Sequence, residues 1–150
     1  MGTARPEPVK SAAAADRTAR GWRERLSLTA EVLLAYAQTS WRLHRLPISE
    51  VVAAQRDVGG SQGKPDAEQL AEARRLGWIV VRGLRLLPGD TRCLTRSLVL
   101  LKLLAARGIP TRLVIGARSG PDFLAHAWVE CEGEPVIDPG DSSFGRLVEL

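Results

Sequence analysis

The chain has 150 residues, with 21 Lys and Arg against 17 Asp and Glu, a formal net charge of +4. Hydrophobic residues make up 45 % and charged residues 25 %, the balance of an ordinary globular domain, which excludes disorder over the whole length. No apolar run approaches the roughly 18 residues that a membrane-spanning helix needs.

This length suits one domain with a core large enough to need no disulfide or metal staple. The arginines are scattered and aromatic residues are only 5 %, so the interleaved basic and stacking surface of a nucleic-acid binder is missing. An acidic peptide partner suits the charge at least as well. Two cysteines, Cys93 and Cys131, and two histidines, His44 and His126, include no Cys-x-x-Cys or His-x-x-x-His spacing, so no zinc site is expected. Met1 to Asp16 has no apolar stretch of the signal-peptide kind. A cytoplasmic, reducing location with free thiols follows as the expectation.

Residues 1–21, with Pro6, Pro8 and mixed charge, read as a disordered or loosely attached tail, leaving 22–150 as a single domain. From Leu26 to Leu46 the residues Leu26, Ala30, Leu33, Leu34, Ala37 and Trp41 recur at helical steps, predicting an amphipathic helix ended by Pro47. A short helix from Ser49 to Arg56 follows, with Ser49 as its cap. Gly59 to Pro65 is a linker: its glycine spacing is wrong for a phosphate-binding loop, and Pro65 stands where Ser or Thr is required. No nucleotide motif or cofactor is expected.

Asp66 caps a helix to about Leu86, with Ala67, Leu70, Ala73, Leu76, Val80 and Leu84 inward; Gly77 and Gly83 weaken it and allow a break. After a turn at Leu87 to Thr91, the segment Arg92 to Arg107 is apolar almost all round, which predicts a central, buried helix closed by Gly108 and Pro110. The period then changes. Strands are predicted at Thr111 to Ala117, Phe123 to Glu130 and Glu134 to Asp138, with Arg146 to Leu150 as a fourth. Helices first and a small antiparallel sheet after them make an α+β fold.

Cys93, His126 and Asp138 form the constellation that carries chemistry. Cys93 lies in the first turn of the buried helix, after a cap at Asp90 or Thr91. Unpaired N–H groups at such a helix start favour a thiolate and can hold an oxyanion. His126 shares a strand face with Trp128 and Glu130. A three-residue loop Cys131-Glu132-Gly133 avoids a positive φ at Glu132, pairs Glu130 with Glu134, and so sets His126 opposite Asp138. Asp141 is the rival carboxylate in another register. Together the three supply nucleophile, general base and acid, and orienter. Cys131, beside the hairpin, faces away from His126 if the strand runs through it. His44, flanked by arginines at a helix end, reads as a surface residue.

These words in this order resemble a known family. Cys93-Leu94-x-Arg96-Ser97-Leu98, then Leu103-Leu104-x-x-Arg107-Gly108-Ile109-Pro110, then Leu113-Val114-Ile115-Gly116, Ala125-His126-Ala127-Trp128-Val129-Glu130 and Val136-Ile137-Asp138 resemble the transglutaminase-like cysteine peptidases of lasso-peptide biosynthesis, the stand-alone B2 leader peptidases. The resemblance covers about Gly77 to Asp138; the helical first half matches in length and character only. It implies a papain/transglutaminase-like core and removal of the leader from a ribosomally made precursor peptide. It further implies Cys93 as nucleophile, His126 as general base and acid, and Asp138 as orienter. A separate leader-binding protein is implied as partner, since the chain has no room for that β-rich domain, and a macrolactam cyclase acts afterwards. Two other outcomes share the constellation: an acyltransferase or transglutaminase in which an amine replaces water, and a non-catalytic peptide-binding subunit.

Overall fold

The computed structural model describes residues 9–56, 63–87, 93–118, 124–137 and 144–149. Among these residues the fold is α+β, with four helices followed by a four-stranded antiparallel sheet. The helices are α1 (Val9–Arg45), α2 (Ile48–Arg56), α3 (Ala67–Leu84) and α4 (Cys93–Ala105). The strands are β1 (Arg112–Arg118), β2 (Leu124–Cys131), β3 (Glu134–Pro135) and β4 (Gly145–Glu149), in the order β3-β2-β1-β4. No described helix is long and apolar enough to cross a membrane. The chain divides into two compact units, Met1–Glu31 and Val32–Leu150.

In the first unit, residues 9–21 are helical. The run Ala12 to Ala15 has the highest helix propensity of any residue type and accounts for this locally. Leu26 and Ala30 of the expected apolar stripe also fall in this unit.

In the second unit the amphipathic period of α1 is present, but the buried face is not the expected one. Val32, Ala35 and Thr39 are buried, whereas Leu33, Leu34 and Trp41 are 44 %, 60 % and 59 % exposed. The smaller residues face inward. Lys102 of α4 donates to the Gln38 side chain on α1, and burial together with the Arg42 charge lowers the Lys102 pKa. His44 is exposed and donates from its ring to the Ser40 carbonyl. Pro47, and not Ser49, opens α2, its carbonyl accepting from Glu50 and Val51.

Asp66 caps α3 as expected, and Gln69 closes a reciprocal capping box with it. The Asp66 carboxylate accepts from the Gln69 backbone N–H at 2.7 Å, and Gln69 Oε1 accepts from the Asp66 N–H at 3.1 Å. The helix runs unbroken through Gly77. A Cβ there would lie 2.6 Å from the Val136 carbonyl oxygen, so this glycine admits a backbone approach and does not mark a kink. Helix α4 is the expected central helix, with Thr95, Ser97 to Leu101 and Leu103 to Ala105 all buried. It ends in a Schellman motif: Gly108, at φ 66°, donates to Ala105, and Ile109 donates to Leu104 at 3.0 Å. Leu76, Leu84, Leu98, Leu100, Leu104, Leu113 and Val129 form the core between α3, α4 and the sheet.

The hairpin between β2 and β3 corrects the expected register. Its turn has two residues, Glu132 at φ 56° and Gly133 at φ 80°, and Cys131 pairs with Glu134. A non-glycine residue in the left-handed region costs about 1–2 kcal/mol, but a two-residue turn with both φ values positive matches the right-handed twist of the flanking strands. Glu130 therefore stands opposite Pro135 and not Glu134. The third strand is also shorter than expected. Pro135 has no N–H to give the ladder, which ends there except for a 2.8 Å bond from the Val136 N–H to the Val129 carbonyl. The counting that set Asp138 opposite His126 does not hold in this register. Asp138 itself, Asp141, and the expected caps Asp90 and Thr91 lie outside the described residues.

Candidate active site

Cys93 opens α4, and its first-turn backbone N–H groups have no partner within the helix. The side chain is half-buried. Ser97, four residues on, shares the helix face of Cys93. Its buried hydroxyl donates to the Ala127 carbonyl at 2.9 Å, clamping that face to β2 at the residue after His126. Cys93 and His126 consequently line one cleft of about 400 Å³, with Ala127, Val136 and Ile137 of the sheet side. The Cys93 thiol and the His126 imidazole, far apart in sequence, are brought to the same opening.

The His126 ring is flanked by aromatic neighbours. Trp128 lies nearly parallel to it, centroids 6.0 Å apart and planes 21° apart, and Phe144 is at 5.5 Å. Trp128 is itself fixed. Its indole N–H donates to Glu130 Oε1 at 2.8 Å, and that oxygen also accepts from Arg146 of β4 at 2.8 Å. Glu130 is only 5 % exposed, so the guanidinium compensates a carboxylate withdrawn from water. The Glu149 hydrogen bond and the Glu130 charge hold the Arg146 pKa above its ordinary value. Gly116, opposite His126 on β1, makes room for the indole: a Cβ there would lie 2.8 Å from two ring carbons of Trp128. The expected face-sharing of His126, Trp128 and Glu130 is thus a packed and hydrogen-bonded row.

Cys131 ends β2 on the face opposite to His126, as expected if the strand runs through it. It is fully buried and donates to the Pro110 carbonyl at 3.4 Å. Burial, reinforced by the Glu132 charge, raises its thiol pKa. It is a poor nucleophile in this setting.

The sequence reading missed the α3 side of the cleft. Arg74, Gly77, Trp78, Val81 and Arg85 all line it, at helical steps of three and four. The stripe was present in the sequence beside the core-facing one, but only the position of the cleft tells the two apart.

The match to known proteins follows this architecture. The profile of the transglutaminase-like superfamily matches residues 32–149, most of the chain. The chain belongs to the transglutaminase-like superfamily. This transglutaminase-like chain is also 46 % identical over 46 residues to the microcin J25-processing protein McjB of Escherichia coli. The aligned part is 31 % of this chain and 22 % of McjB, so the chain spans about a fifth of that relative's length. No solved structure matches significantly. The family and the relative bear out the resemblance drawn from the sequence.

Proposed function

We propose that this transglutaminase-like chain is a cysteine peptidase that removes the leader from a ribosomally synthesised lasso precursor peptide. The observation that carries the reading is the cleft shared by Cys93, at the start of a buried helix, and His126, on the neighbouring strand. Its similarity to a protein named for processing microcin J25 supplies the class of substrate.

In this reading the Cys93 sulfur attacks the scissile carbonyl, and the first-turn N–H groups of α4 face the developing oxyanion. His126 takes the thiol proton and gives it to the amine of the departing core peptide. A thioester between Cys93 and the leader remains. His126 then activates water, which releases the leader as a carboxylic acid. Asp138 is proposed as the orienter of His126 on the strength of the family resemblance. A separate leader-binding protein delivers the precursor, the macrolactam cyclase acts on the freed core, and the whole takes place in the cytoplasm.

The test is mass spectrometry of a leader-bearing precursor incubated with the chain and its leader-binding partner, beside Cys93→Ala and His126→Ala variants. The expected result is one cut at the leader–core junction, absent in both variants. Failure to cut with the correct precursor and partner, or a cut that survives Cys93→Ala, refutes the reading. With an added primary amine, a leader product carrying that amine in place of water would identify acyl transfer.

A further inference from the structure

The α3 wall of the cleft has a chemistry of its own. Arg74, Trp78, Val81 and Arg85 form a single stripe, with the two arginines eleven positions apart. At 1.5 Å per residue this is about 17 Å, the span of about five residues of extended peptide. Both arginines are exposed, and neither forms an ion pair among the described residues. No described residue lining the cleft carries a carboxylate. Trp78, between the arginines, is 62 % exposed, and the guanidinium of Arg82 lies 5.1 Å from its ring centroid. A solvent-facing tryptophan between two unpaired guanidinium groups is costly to leave bare and well suited as an anchor.

We infer that this stripe is the substrate-recognition wall, and that it takes an extended peptide segment whose apolar side chain packs on Trp78 and Val81 between flanking acidic residues. The inference rests on the peptidase reading of the same cleft and adds a substrate chemistry to it. Carboxylates of the peptide meet Arg74 at one end and Arg85 at the other. Arginine suits this role because its planar fork binds a carboxylate through two parallel hydrogen bonds. The sign of the wall also rejects a segment carrying lysines at these places.

The test uses rhodamine-labelled peptides in which a central Leu-Val pair is flanked on both sides by Glu, by Gln or by Lys. Anisotropy on the Cys93→Ala chain reads affinity, and protection of Cys93 from iodoacetamide in the unaltered chain reads location. The expected order is Glu over Gln over Lys, with a Glu preference over Gln of about tenfold from two exposed charge pairs. That preference should fade between roughly 50 and 500 mM salt as screening shortens. The Glu peptide alone should protect Cys93, and Arg74→Glu with Arg85→Glu should invert the order in favour of Lys. Equal binding of Glu and Gln peptides, no protection of Cys93, or an unchanged order in the double variant each overturns the inference. Precursor cleavage with no charge preference overturns it while leaving the peptidase reading intact. Protection of Cys93 by the Glu peptide, without cleavage of any precursor, upholds the preference and refutes the peptidase.

Discussion

Alanine at Gly77 and at Gly83 separates helix propensity from the packing that builds the cleft. Both glycines lie in α3, where alanine is favoured over glycine by about 1 kcal/mol. A Cβ at Gly83 meets nothing within 4 Å, so Gly83→Ala should stabilise the protein by up to about that amount. A Cβ at Gly77 would lie 2.6 Å from the Val136 carbonyl oxygen and 3.1 Å from Val136 Cγ1. Backbone cannot swing aside as a side chain does, so β3 and the segment after it must move away from α3. Overpacking of this kind costs about 1–3 kcal/mol. The propensity gain is common to both variants and cancels in their difference, which should therefore be about 1–3 kcal/mol in favour of Gly83→Ala. For a chain of this size that is a gap of roughly 3–10 °C in Tm by differential scanning calorimetry. Because Val136 and Ile137 line the cleft with Cys93, Gly77→Ala should also slow precursor cleavage more than Gly83→Ala does. Equal stabilisation by the two substitutions would show that Val136 does not pack on Gly77, and the described cleft would lose that wall.

Four further outcomes follow from contacts around His126 and Cys131. Glu130→Ala leaves the Trp128 N–H without its acceptor and Arg146 without one of its partners, and should cost about 2–3 kcal/mol in urea denaturation. Glu130→Gln keeps an acceptor and should recover part of that stability; equal losses in the two would contradict the role of the acceptor. Gly116→Ala must displace the Trp128 ring, so cleavage should fall and the NMR signals of His126 should shift; unchanged signals would remove Trp128 from the support of the imidazole. Ser97→Ala deletes a buried hydrogen bond to the Ala127 carbonyl and should cost about 1–2 kcal/mol by thermal unfolding. The raised pKa of Cys131 means that the folded state keeps this thiol proton longer than the unfolded state. Its stabilising contribution is complete below the unfolded thiol pKa and is lost as pH rises above it, so Cys131→Ala should flatten the alkaline fall in stability.

The local signals for elements were legible because local chemistry sets them. Asp66 spells the cap of α3, and Gly108 with Pro110 spells the end of α4. The near-continuous apolar surface of α4 announced its burial, and with it the position of Cys93 at an inner helix start. Periodicity alone could not say which face of α1 is buried. Leu33, Leu34 and Trp41 follow the helical step as well as Val32, Ala35 and Thr39 do, and tertiary packing buries the smaller set. The hairpin failed for a different reason: a local preference against positive φ at Glu132 was outweighed by the twist of the paired strands. Gly77 and Gly116 were opaque, since what each admits, the Val136 backbone or the Trp128 ring, comes from a remote segment. At the candidate site, residue type and placement singled out Cys93 and His126, which line one cleft. The arginine and tryptophan stripe of α3 was not, because nothing in the sequence tells that an exposed helix face borders a cleft.

The central claim is that Cys93 carries the leader through a covalent intermediate, and peptide mapping of the acid-quenched enzyme by mass spectrometry tests it most directly. The full chain, mixed with precursor and leader-binding partner and quenched in acid during turnover, is digested and mapped. The account predicts an adduct of the leader mass less one water on the peptide that contains Cys93, absent from Cys131 and from the Cys93→Ala variant. Precursor turnover with Cys93 unmodified, and undiminished in Cys93→Ala, would contradict it.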